Sequence, residues 1–145
     1  MTGAIQRVER LLGGRAALGR AIRTELDLAD AVREGFPYAV VVQITSGRAS
    51  WLTPPELHRF IPRRTLEHRR QAARLTPEQS DRIARIVRLT ALAEDVFGSS
   101  DKARGWLRRR ARPLGDQAPL DLLDSDAGAS AVENLLGRIA HGIAA

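Results

Sequence analysis

Tyr38–Thr45 reads YAVVVQIT, and the fold class turns on how those eight residues are read. Three valines, an isoleucine and a threonine argue for strand by propensity. A strand needs a partner, because its unpaired N–H and C=O groups otherwise form a bare edge. No neighbouring stretch offers one. Pro37 stands just ahead, and the segment is expected to form a short buried helix. With this segment helical, the chain is all-α.

The punctuation on either side is helical as well. AIQRVERLLGG sets Ile5, Val8, Leu11 and Leu12 at helical spacing and stops at Gly13-Gly14. ELDLADAVREG turns Leu28, Ala31 and Val32 inward, with Gly35 as its C-cap. Thr53-Pro54-Pro55-Glu56 combines a Thr N-cap, a following proline and a Glu three residues on, which is a capping box. Thr76-Pro77-Glu78-Gln79 repeats that grammar and opens a run to Phe97 that Gly98 closes. Its apolar stripe is Ile83, Ile86, Val87, Ala93, Val96 and Phe97. Ser99-Ser100-Asp101 caps another short helix, KARGWLRRR. A Pro/Gly loop from Pro113 to Pro119 follows, and a last helix is expected from about Asp126 to His141.

At 145 residues the chain suits one domain or two small lobes. Hydrophobic residues make up 43% but aromatics only 4%, so the core must be built from Leu, Ile, Val and Ala. The absence of cysteine excludes disulfides and thiolate metal sites and fits a reducing compartment. No stretch approaches the roughly 20 apolar residues of a membrane span, and MTGAIQRVER lacks the apolar core of a signal peptide. A cytoplasmic location is expected. Net charge is +6, and 22 of the 23 cations are Arg. It is unevenly spread: residues 1–60 carry +2, residues 61–112 carry +8 and residues 113–145 carry −4. That asymmetry suggests a nucleic-acid face in the middle and a different partner at the end. A chain that simply decorates its solvated faces with arginine would look similar.

Residues 53–72 read as helix, tight turn, helix: TPPELHRF, a corner at Ile61-Pro62, then RRTLEHRRQA. In a helix-turn-helix the second element enters the major groove, and its N-terminal residues meet base edges. With Leu66 inward, Ala73 and the stem of Arg70 are expected on the buried side. Arg64, His68 and Gln71 then project oppositely at i, i+4 and i+7. Arg can grip guanine bidentately and Gln can do so with adenine. Thr65 flanks that stripe, and Arg63, Arg69 and Arg70 sit to the sides, where phosphates would lie. Glu67 either accepts from a cytosine amino group or pairs with Arg63 or Arg70. The competing reading is a solvated helix whose arginines snorkel over a thin core.

Catalytic chemistry is not visible. His58, His68 and His141 are scattered, so neither a metal nor any other cofactor is expected. GRAALGRA (Gly14 to Ala21) has P-loop spacing, but Ala21 has no hydroxyl for magnesium, and a plain helix is the better reading. DSDAG (Asp124 to Gly128) begins like a calcium loop, yet the glycine slot would hold Ala129 and the terminal glutamate slot Leu135. Ser125 or Asp126 is expected to be a helix N-cap instead. No nucleophile stands in a triad setting, and the chain is not expected to be an enzyme.

The last helix carries Val132, Leu135, Leu136, Ile139 and then Ile143 on one stripe, with Asn134, Arg138 and His141 opposite. It ends in GIAA, which either frays or plugs a concave site on a partner. RTLEHRR, LTPEQSDRIARI, VFGSSDKARGWL, PLGDQAPLDLLDSDAG and VENLLGRIAHGI together resemble the Xre/MbcA/ParS-type antitoxins of RES–Xre toxin–antitoxin modules. The likeness runs in order from about Leu26 to the end.

The resemblance implies a small all-α homodimer: an N-terminal Xre-like helix-turn-helix bundle followed by a small helical toxin-binding domain. It divides the chain into a variable segment (1–23), a DNA-binding domain (24–75) and a toxin-binding domain (76–145). It implies a RES-domain partner that consumes NAD⁺ and is covered at its active site, together with repression of the chain's own operon. DNA contact then falls to Arg63, Arg64, Thr65, His68, Arg69, Arg70 and Gln71. Toxin contact falls to Asn134, Arg138, His141, Gly142, Ile143, Ala144 and Ala145. The family context also supports helix for YAVVVQIT. Two positions depart from the family pattern: Asp116 replaces a glycine in a turn, and Ser125 replaces a threonine. A stand-alone helix-turn-helix regulator without a toxin is the alternative. Trp106 and Leu107 are expected in the core.

Overall fold

The computed structural model describes residues 3–142. Among them are nine α-helices and no strand. The chain divides into two compact units, residues 1–84 and 85–145.

The first unit begins with α1 (Ala4–Leu11), which buries Val8 and Leu11 and breaks at Gly13, where φ is 100°. The P-loop-like stretch is an ordinary short helix, α2 (Gly14–Leu18). α3 (Glu25–Glu34) is capped reciprocally: Asp27 N–H donates to Thr24 Oγ1 at 3.1 Å, and Thr24 N–H donates to Asp27 Oδ2 at 3.1 Å. Leu28 and Ala31 face inward as expected, whereas Val32 is only half-buried. Gly35 closes the helix at φ 84°, and a Cβ there would collide with the Leu75 carbonyl, so glycine is required.

Tyr38–Ser46 is helical (α4), burying Val40, Val41 and Ile44 at helical spacing. The β-branched residues are accommodated because one face packs inward while Val42 stays exposed. Thr45 Oγ1 donates to Val41 O at 2.7 Å and Ser46 Oγ to Val42 O at 3.0 Å, so the hydroxyls bond within their own helix. α5 (Pro54–His58) starts at the Thr53–Glu56 capping box. Phe60 and the fully buried Ile61 form the corner, and α6 (Arg63–Ala72) leaves it after Pro62. Trp51 Nε1 donates to Leu11 O at 2.8 Å, tying the α4–α5 connection to α1. α7 (Pro77–Phe97) opens on the reciprocal Thr76–Gln79 cap and is closed by Gly98 at φ 66°.

The second unit contains α8 (Ser100–Arg108), capped by Ser99, and α9 (Asp126–Ala140), capped by Ser125. Ser125 therefore does the work of the family's threonine: its hydroxyl accepts from Gly128 N–H at 3.0 Å. Two 3₁₀ turns, Arg112–Leu114 and Pro119–Leu122, lie between these helices and bury Leu114, Pro119 and Leu120. The turn at Asp116 forms despite the missing glycine. Asp116 takes a left-handed φ of 60°, which Asp tolerates better than most side chains, and its N–H donates to Ala111 O at 3.1 Å. Leu107 is core, as expected; Trp106 is half-buried and rests on Phe97, ring centroids 5.5 Å apart. No helix of the described residues is long and apolar enough to cross a membrane.

Candidate nucleic-acid face and partner-binding helix

α6 is held to its unit by one buried side chain, Leu66, and everything else on it faces outward or sideways. The helix is so polar that its seat depends on that contact and on what its flanking arginines touch. Arg63 Nε donates to Glu67 Oε1 at 3.2 Å, which gives Glu67 an intrahelical partner. Arg69 Nε donates to Arg74 O at 2.9 Å. Arg70 lays its guanidinium over the Tyr38 ring, 5.8 Å from the centroid. All three arginines expected to lie beside phosphates are thus steered by the protein itself.

Arg64, Thr65, His68 and Gln71 are exposed and carry no side-chain hydrogen bond or ion pair among the described residues. They form the outward stripe, open to an incoming ligand. Two expectations for this helix are corrected. Ala73 is exposed rather than buried, because α6 ends at Ala72 and Ala73 turns left-handed at φ 62°. That turn reverses the chain so that Ala73 O accepts from Tyr38 N–H at 2.9 Å and Leu75 N–H donates to Phe36 O at 2.8 Å. Arg70 is likewise exposed, its head drawn to Tyr38.

α9 presents the second candidate face. Val132, Leu135 and Leu136 are buried and Ile139 is half-buried, while Asn134, Arg138 and His141 lie exposed on the other side. Gly142 takes a left-handed φ of 72° just past the helix end. Ile143, Ala144 and Ala145, also expected at the toxin, lie outside the described residues. The N-terminus of α9 is anchored by Arg85, whose Nη2 meets Asp126 Oδ1 at 2.9 Å. Gly128 is needed there, since a Cβ would run into the Leu122 carbonyl.

The residues that sequence reasoning missed are the supports. Tyr38 beneath Arg70 and the Arg74 carbonyl beneath Arg69 lie far away or outside any helical repeat, and no local signal marks them. Among the described residues no group of three or more His, Cys, Asp and Glu is placed to hold a metal ion.

Fold and faces together define an all-helical protein of the helix-turn-helix class with a second helical unit carrying its own exposed face. Comparison with known proteins agrees. A family model for the antitoxin Xre-like helix-turn-helix domain matches residues 27–88. Another, for the antitoxin Xre/MbcA/ParS C-terminal toxin-binding domain, matches residues 92–142. The chain is 33% identical over 122 residues to an Antitoxin Xre of Pseudomonas putida, covering 83% of this chain and 76% of that protein. It is 37% identical to an Antitoxin Xre of Yersinia enterocolitica, covering 80% of each. An Antitoxin Xre of Photorhabdus laumondii is 48% identical over 71 residues, 48% of each chain. This chain belongs to the Xre antitoxin family, and its helix-turn-helix and toxin-binding domains mark it as a regulatory antitoxin rather than an enzyme.

Proposed function

We propose that this protein neutralises a RES-domain toxin that degrades NAD⁺, by laying α9 and the chain end over the toxin's active site, and that it represses its own operon from the cytoplasm as a homodimer. Residues 24–75 serve the operator and residues 76–145 serve the toxin, with residues 1–23 as a variable extension. The observation that carries this reading is the division of exposed side chains between two faces. On α6 the outward residues are Arg64, Thr65, His68 and Gln71, types suited to base edges and phosphates. On α9 they are Asn134, Arg138 and His141, which suit hydrogen bonding at the rim of a partner's cleft while small chain-end residues fill it.

The test is co-expression with a RES-domain toxin, following growth and cellular NAD⁺. The full chain is expected to preserve both. A chain lacking Gly142–Ala145 is expected to lose that protection while still binding operator DNA. Full protection by the truncated chain would remove the chain end from the mechanism, and NAD⁺ that never falls when the partner is expressed alone would remove the toxin chemistry.

A further inference from the structure

The positive charge of this chain is not concentrated on α6. Residues 102–112 carry Lys102 and five arginines with no carboxylate among them. Arg108, Arg109, Arg110 and Arg112 are all exposed. Arg108 is the last residue of α8 and donates to Arg104 O at 3.2 Å, so its charge answers the helix dipole. That explanation stops at Arg108. Arg109 is already extended, at φ −99° and ψ 137°, and Arg110 and Arg112 lie beyond the helix. None of these three makes a side-chain hydrogen bond or an ion pair with a carboxylate among the described residues. Elsewhere arginines find partners: Arg20 meets Glu34, Arg33 meets Asp30, Arg63 meets Glu67 and Arg85 meets Asp126.

Three uncompensated guanidinium groups within four positions repel one another, an arrangement that an external polyanion would relieve. The surroundings say which polyanion. A protein partner is gripped through a buried apolar or aromatic anchor. Here there is none to offer: the exposed large hydrophobic residues among those described are Leu26 and Val42, both in the other unit, and Trp106 is engaged with Phe97. Single-stranded nucleic acid calls for free aromatic platforms, which are equally missing. Duplex phosphates require only cations held at the surface, and the Ala111–Gln117 pairing fixes the backbone that presents them.

We propose that Arg109, Arg110 and Arg112, with Arg108 beside them, form a second DNA contact that binds duplex phosphates without regard to sequence. This goes beyond the operator reading and does not require α6 to read any base. It would give the repressor a sequence-independent share of its affinity from the unit that also meets the toxin.

The test is fluorescence anisotropy with a random-sequence duplex of about 30 base pairs, titrated with the full chain between roughly 50 and 200 mM salt. Replacing Arg109, Arg110 and Arg112 together by Gln is expected to reduce the slope of log affinity against log salt by about 2 to 3. Affinity at low salt is expected to fall at least about tenfold, with an unchanged melting temperature. The triple Lys variant keeps the charge and is expected to keep the slope. An Arg64→Ala/Gln71→Ala chain should lose operator preference yet retain the salt-dependent binding that the Gln variant loses, which separates this contact from α6. An unaltered slope in the Gln variant, absence of duplex binding by the natural chain, or loss of toxin capture with DNA binding intact would each overturn the proposal.

Discussion

Ser80 is fully buried at the start of α7, and its hydroxyl is used twice: it accepts from Phe36 N–H at 2.7 Å and donates to Thr76 O at 2.8 Å. Replacing it with Ala strands a buried backbone donor, whose desolvation costs about 1–3 kcal/mol. Ser80→Ala is therefore expected to lower stability by that amount in urea denaturation, and a loss within error of zero would show that water replaces the hydroxyl. Asp27 makes a prediction about pH. The Arg23 N–H, at 2.9 Å from Oδ2, holds its carboxyl below the ordinary carboxylate value, helped by Thr24. A pKa depressed by folding adds stability above the unfolded value of 3.8, and that stability is lost as pH falls through the folded value. Asp27→Asn should accordingly destabilise the protein at neutral pH and flatten its acid limb below about pH 4. A parallel acid limb in chemical-denaturation midpoints would contradict the cap assignment.

Among elements, α6 is the most exposed to failure because a single side chain seats it. Leu66→Ala is expected to cost about 2–5 kcal/mol, as for other fully buried leucines, and to weaken operator binding because α6 loses its seat. Arg64→Ala with Gln71→Ala should behave oppositely: no change in melting temperature, but loss of operator preference in a mobility-shift assay. Retained sequence preference in that pair would refute the groove assignment. Between these extremes, Arg70→Ala removes a guanidinium resting on Tyr38 rather than a free phosphate contact, and is expected to cost less affinity than a freely projecting arginine would. α4 illustrates how an element overrides local preference. Its valines favour strand by propensity, but Val40, Val41 and Ile44 share one face, and burying that face outweighs a β preference worth less than about 1 kcal/mol per residue.

At the scale of the whole molecule, the faces proposed for operator and toxin, on α6 and α9, belong to different units. Mutations without shared partners add. The α6 double variant should therefore neutralise the toxin as the natural chain does, and the chain lacking Gly142–Ala145 should bind operator as the natural chain does. A toxin-neutralisation defect in the α6 variant would mean that the two activities are coupled through the protein.

Helix starts were legible because a cap is a local device. Thr53, Thr76, Ser99 and Ser125 each bond an N–H three residues on, at a spacing visible in the chain. The same holds for the inward stripe of α9 and the outward stripe of α6, which follow from helical periodicity about a few apolar anchors. What the tertiary structure alone decided is the treatment of the remaining cations and buried donors. Trp51 reaching Leu11 O, Phe36 meeting Ser80, Arg70 settling on Tyr38 and Ala73 turning outward to receive Tyr38 N–H join residues 32 to 44 positions apart. Such contacts depend on the path of the whole chain, and hydrophobic periodicity carries no information about that path.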